Sequence, residues 1–306
     1  MTGSLWLAEV TPAKPVKLRP NSTVGDVIKT AMAEGVNQFL RFGPGAYRGT
    51  DPEDVHKSRV ATRKMRSQLR SFAAAVDETW LRDIRSDLGW MADGLGAVRD
   101  ADVMMERIRK CAAGLSAADS ATAEALIARL ERTRDEGAEN LREMMEEDRS
   151  RSLVARLQAG AADPPVLPLA AERAADLAPQ LVSTSWNRLE RSVSGLPRQP
   201  TDADLHEVRI RAKRCRYTTE ILRPVMGDDA RRLAQVLAEL QGVLGDIHDS
   251  YSTQEWLRTS AGCTAEALVA GMMVAAEAGG QPALVRSWQH VWAKALKVKV
   301  PSKPTG

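Results

Sequence analysis

The sequence predicts an all-α protein in two halves of about four helices each, and three observations carry that expectation. Alternating β-branched runs are absent, while Ala, Leu, Arg and Glu dominate. Helix-start signals recur along the chain. A proline-rich break, GAADPPVLPLA at Gly160–Ala170, divides the chain near its middle.

Taken in order, Thr23 with Asp26 forms a capping box ahead of VIKTAMAEGVNQFL and opens a helix over 23–43. Asp51-Pro52-Glu53-Asp54 supplies a cap, a proline at the first helical position and two acids facing the helix dipole, opening 52–76. A third helix is expected over 78–110. Ser116 with Asp119 opens an Ala-rich fourth over 117–158, with Met144–Arg151 as a mixed, solvated turn. The second half holds 169–195, 202–226 (opened by Thr201 with Asp204), 228–260 and 263–296, the last interrupted at Gly279-Gly280. Residues 1–21 carry three prolines and read as a linker or domain junction, and 297–306 as a flexible tail.

Composition narrows the function classes. With 43% hydrophobic and 27% charged residues the chain belongs with globular domains, and its net charge of +3 leaves any anion-binding role to local clustering. Three scattered cysteines (Cys111, Cys215, Cys263) argue against a disulfide framework or a structural zinc site, and for a reducing, cytoplasmic setting. No apolar run of membrane-spanning length and no signal peptide is read in the sequence. Neither a Gly-rich phosphate loop nor a nucleophile elbow is present, so no catalytic residue, cofactor or metal is expected. The seven tryptophans are expected in the core.

The halves share a repeat. DVHKSRVATRKMRSQL from Asp54 aligns without gaps with DLHEVRIRAKRCRYTT from Asp204, an offset of 206 − 56 = 150. His56/His206, Arg59/Arg209 and Arg66/Arg216 are identical, and Arg63/Lys213 and Lys64/Arg214 keep their charge. Downstream, LGAVRDADV matches LGDIHDSYS at an offset of 149, which pairs Asp100 with Asp249 and Arg99 with His248.

Helical geometry says what the repeat presents. At roughly 100° per residue, His56, Arg59, Arg63, Arg66 and Arg70 share one face. Val55, Thr62, Met65, Leu69, Phe72 and Val76 form a second stripe, turned from the first by roughly 110°. His206, Arg209, Lys213 and Arg216 repeat the basic face, with Leu205, Val208, Ala212, Cys215 and Leu222 as the apolar one. Val55–Val76 contains no acid at all. A row of guanidinium groups roughly 20 Å long suits an extended polyanion better than a small ligand. The competing readings are a solvated helix face, a nucleic-acid-binding protein, a metal-dependent phosphohydrolase using the two histidines, and a scaffold for acidic partners. Base-stacking aromatics are missing from the basic stripes apart from Tyr217, and no acid joins the histidines at ligand spacing, so nucleic acid and metal are both disfavoured.

The doubled His-x-x-Arg-x-x-x-[Arg/Lys]-[Arg/Lys]-x-Arg pattern, with LGAVRDADV and LQGVLGDIHDS, resembles the CHAD family, the conserved histidine α-helical domain. The resemblance covers residues 22–296, as halves 22–160 and 168–296. It implies an all-α fold of two four-helix bundles related by pseudo-two-fold symmetry, around a central basic pore that binds inorganic polyphosphate without catalysis. The positions it carries over are His56, Arg59, Arg63, Lys64, Arg66, His206, Arg209, Lys213, Arg214 and Arg216, with Tyr217 and Glu220 matching the second motif. Arg70 continues the first stripe, Arg99 and His248 could add donors, and Glu220 is expected to clamp a neighbouring arginine. Lys64 and Arg214 lie off the main face, toward the rim or solvent. The resemblance also implies a CYTH domain N-terminal to this region as a partner and a place on polyphosphate or storage granules; the lack of an apolar run and signal peptide makes the cytoplasm the default, with no membrane partner.

Overall fold

A computed structural model describes Trp6 and residues 12–300. Among these residues there are nine α-helices and no strand. They are α1 (Val24–Arg48), α2 (Pro52–Ser71), α3 (Glu78–Ala112), α4 (Ala117–Glu146), α5 (Asp148–Ala162), α6 (Ala174–Ser194), α7 (Asp202–Met226), α8 (Asp228–Ser260) and α9 (Thr264–Ala295). The all-α class expected from the sequence is therefore observed.

The caps act where the sequence places them. Both capping boxes close, at Thr23/Asp26 and Thr201/Asp204, and Asp51 accepts from the Glu53 amide at 2.8 Å ahead of Pro52. Several boundaries differ from expectation: α2 ends at Ser71 rather than 76, and α6 begins at Ala174 rather than 169, each with a short 3-10 turn in the difference. The fourth predicted helix splits into α4 and α5 at Glu147, within the Met144–Arg151 turn, where the backbone turns extended (ψ 152°). α1 runs past Pro44 to Arg48. α9 is continuous through Gly279-Gly280, because a glycine costs a helix only about 1 kcal/mol and buried Trp288 and Val291 anchor the far end.

Each half is a chain of adjacent helices, α1–α2–α3–α4 with α5 on α1, and α6–α7–α8–α9. Between halves, α2 packs on α7, α3 on α8 and α4 on α9, so like meets like. The apolar stripes form the core: Val55, Thr62, Met65, Leu69, Phe72 and Val76 are all buried, as are Leu205, Val208, Ala212, Cys215 and Leu222. One apolar cluster runs through both halves, and a second, with Ile108, Leu126, Ile127, Leu257 and Met273, ties α3 and α4 to α8 and α9. The tryptophans belong to this framework. Trp6, Trp186 and Trp288 are buried, and Trp186 stacks on Trp292 at 5.4 Å.

The segment read as a linker lies along α1 over its described part. Asn37 exchanges two hydrogen bonds with Ala13 (2.8 and 2.7 Å), and the Thr30 hydroxyl donates to the Val16 carbonyl at 3.0 Å. The Trp6 indole donates to the Met145 carbonyl at 2.7 Å. The remainder of that expectation, at residues 1–5 and 7–11, and the tail at 301–306 lie outside the described residues. One helix, α9, is long and apolar enough to cross a membrane by length and composition, although the sequence reading found no such run. Its two acids in that stretch turn into the body, Glu266 to Arg129 and Glu277 to Arg107.

Candidate polyanion-binding cavity

The apolar stripes fix the rotation of α2 and α7, and that rotation brings the two basic stripes together. A cavity of about 700 Å³ opens between α2, α3, α7 and α8. It is lined by His56, Arg59, Arg63, Arg66 and Arg99 from one half and His206, Arg209, Lys213, Tyr217 and His248 from the other. Six Arg or Lys side chains thus face one concavity, against three acids, Asp93, Asp100 and Asp249.

The two halves hold their first arginines alike. Arg59 lies across Gly96, and Arg209 across Gly245; a methyl on either glycine would sit 3.6 Å from the guanidinium. The repeated Leu-Gly therefore supplies a flat floor for the arginine, and both Nε atoms are buried without a hydrogen-bond partner. Arg59 donates to both Asp100 oxygens, at 2.8 and 3.3 Å, but Asp100 is 66% exposed, so water screens the pair. Arg209 makes no such bond to Asp249, which acts on it only through space.

Crowded cations in partial burial lose basicity. Burial, reinforced by Arg59, lowers the pKa of Arg63; burial is also the main depressor at Arg209. Lys213 is pulled from 10.5 down to about 6 by burial and then by Arg63 and Arg209. His56 is lowered by burial and by facing Arg99. His206 is lowered by burial and by His248, whose ring lies 4.3 Å away, centroid to centroid. His248 in turn is oriented by Asp202, 3.2 Å from Nδ1, and the Nδ1 of His206 is buried without a partner. With pKa values below the ordinary 6.5, His56 and His206 favour the neutral form at pH 7 and would gain protons beside an anion.

Four residues carried over from the sequence lie outside the cavity lining. Arg216 is held by Glu220 at 2.7 Å and by Gln241 at 3.2 Å, as expected of a Glu220 clamp, and lines a separate cleft with Lys64. Arg70 and Arg214 lie close to Arg85, on the other side of the α2–α7 seam. Sequence reasoning missed Asp202, Gln241, Ser252 and Thr253, whose polar chemistry is ordinary in helices; Arg85 lay outside both repeated blocks. His206 has His248, rather than His56, as its ring partner. Among the described residues no group of three or more His, Cys, Asp or Glu is placed to hold a metal ion.

An all-helical duplicated core with a doubled His/Arg stripe turned inward defines the class of protein. The family model of the CHAD domain matches residues 30–258, and the chain belongs to that family. It is 28% identical over 252 residues to the uncharacterised protein Rv2226 of Mycobacterium tuberculosis, covering 76% of this chain. The chain spans about half (45%) of that relative's length. Two solved structures share the fold. The CHAD domain from the plant Ricinus communis superposes with a TM-score of 0.78 at 20% identity, covering 96% of this chain and 99% of its own. PptA from Streptomyces chartreusis gives 0.74 at 21% identity, covering 89% and 100%.

Proposed function

We propose that this protein binds inorganic polyphosphate in the cavity between α2 and α7 and does not turn it over. The observation that carries the reading is convergence: two basic stripes separated by 150 residues face one concavity. Low-dielectric walls focus positive potential there well beyond what a net +3 would give. Guanidinium groups fork onto phosphate oxygens without needing a base to stack, and Tyr217 is the one aromatic in the lining. Arg63, Arg209 and Lys213, with no ion pair of their own among the described residues, are the primary contacts; Arg59, Arg99 and His248 assist, and His56 and His206 donate once protonated. Membership in the CHAD family supports the same reading. With that reading we propose a cytoplasmic setting, free or on polyphosphate or storage granules, and a CYTH domain as an N-terminal companion.

Parallel titration with long-chain polyphosphate, DNA and RNA at matched salt tests it. Polyphosphate is expected to bind most tightly, with affinity falling steeply as salt rises. Equal or tighter binding of nucleic acid would overturn the assignment. Orthophosphate release with added divalent metal, abolished by His56→Ala, would replace it with a hydrolase.

A further inference from the structure

We propose that a bound polyphosphate chain leaves the cavity on one flank only, over a cluster of four arginines, Arg66, Arg70, Arg85 and Arg214. This rests on the polyphosphate reading and adds a direction to it. α2 and α7 close on each other beyond the cavity, where Ser71 Oγ and Thr218 Oγ1 share a 2.7 Å hydrogen bond. The duplication places a flank on either side of that seam. On the first, α2 brings Arg66 and Arg70, α3 brings Arg85 and α7 brings Arg214. The repeat offsets of 150 and 149 map these onto Arg216, Glu220, Ala234 and Lys64, all of which line the cleft of the second flank.

The flanks are equivalent in descent and differ in charge balance, since the second sets Glu34 and Glu220 against Lys64, Arg216, Arg223 and Arg231. None of the four guanidinium groups of the first makes a hydrogen bond or ion pair among the described residues. The Arg85 Nε is buried and unpartnered, and its guanidinium is depressed by burial and by Arg70 and Arg66. Arg214 is depressed by burial and by Arg70; the one acid that supports it, Glu207, is held by Arg211 at 2.7 Å. On the second flank Glu220, standing where Arg70 stands in the first, closes on Arg216 at 2.7 Å. Ala234 stands in place of Arg85, and Glu34 joins the lining.

Arg66 links cavity and cluster. It lines the cavity, yet its guanidinium lies flat on α3 at Gly89, where an added methyl would come within 3.2 Å. The counterpart of Gly89 at the 149 offset is Ala238. A phosphate chain leaving Arg63 therefore meets continuous, unneutralised cations by way of Arg66, and on the other side an ion pair already closed.

The test compares Arg70→Ala/Arg214→Ala with Lys64→Ala/Arg223→Ala, each titrated with long-chain polyphosphate and with tripolyphosphate, after circular dichroism confirms helical folding. The first variant is expected to bind long chains about 5- to 20-fold more weakly, with a salt slope shallower by about 1.4 for two lost contacts. Its tripolyphosphate affinity stays at wild type, since that ligand fits within the cavity. The second variant is expected to change either affinity less than about twofold, because Glu34 and Glu220 stand against the cations of that flank. An unchanged long-chain affinity in the first variant, equal losses in both, or parallel loss of both ligands would each overturn the one-sided exit while leaving the cavity reading intact. Failure of wild-type protein to bind long chains at all would overturn both.

Discussion

Replacing Lys213 with Met separates what the cavity costs from what it does. Lys213 is only 7% exposed, and burial, Arg63 and Arg209 bring its pKa from 10.5 to about 6. At pH 7 the folded protein therefore holds a neutral amine where the unfolded chain holds an ammonium. The gap from 10.5 to pH 7 is 3.5 units, a ceiling of about 5 kcal/mol at ~1.4 kcal/mol per unit. Local relaxation and water entry lower this, so a methionine of similar length should stabilise the empty protein by about 1–3 kcal/mol, or about 2–6 °C in Tm. The sign follows from proton binding. The folded pKa lies below the unfolded one, so the unfolded state holds more protons between about pH 6 and 10.5, and wild-type stability climbs with pH through that window. The methionine variant lacks that climb, so its advantage shrinks by about pH 9. Long-chain polyphosphate is expected to recharge the lysine in wild type, and the variant should bind it several-fold more weakly. Thermal denaturation at both pH values, with and without polyphosphate, reads all of this. A variant less stable than wild type at pH 7, or equally advantaged at both pH values, would refute the reasoning.

Other perturbations follow from the same geometry. Because His56, His206 and Lys213 all sit below their ordinary pKa values when the cavity is empty, an anion must draw protons in. Affinity should then rise as pH falls from about 8 to about 6, by up to tenfold per unit for each linked proton, and a flat profile in calorimetric titrations would contradict it. Asp100→Asn frees Arg59 from a solvent-exposed carboxylate, so polyphosphate should bind a few-fold more tightly at a stability cost under about 1 kcal/mol; weaker binding would show that Asp100 positions Arg59 instead of competing for it. Gly245→Val puts branched methyls where Arg209 rests at 3.6 Å, and should weaken polyphosphate binding about tenfold while circular dichroism stays helical; unchanged binding would remove Arg209 from the site.

Much of this was legible in the sequence because rotation of a helix is fixed by its apolar stripe. Once Val55, Met65 and Leu69 had to be buried, Arg59 and Arg63 had to face sideways, and the repeat imposed the same on Arg209 and Lys213. The capping signals fixed where α2 and α7 begin. The split at Glu147 and the continuity of α9 through Gly279-Gly280 depend on tertiary packing, which local propensity does not contain. The fate of the off-stripe cations also lay outside the pattern. Lys64 and Arg214 are equivalents in the repeat, yet one enters a cleft with Glu220 and Glu34 and the other an arginine cluster, because their neighbours come from α3 and α8. Arg85 belongs to no repeated block, and its role emerges only when α3 is laid beside α2. His206 pairing with His248 similarly needs the angle between α7 and α8.

Calorimetric titration of long-chain polyphosphate into wild-type protein and Arg63→Ala/Arg209→Ala, at low and at physiological salt, tests the central claim most directly. These residues face one cavity from opposite halves and have no ion pairs of their own among the described residues. The wild type should bind with strong salt dependence, and the double variant should lose at least about tenfold in affinity and part of its salt slope while remaining folded. Equal affinity and equal slope for the two proteins would contradict a shared cradle built from the duplicated helices.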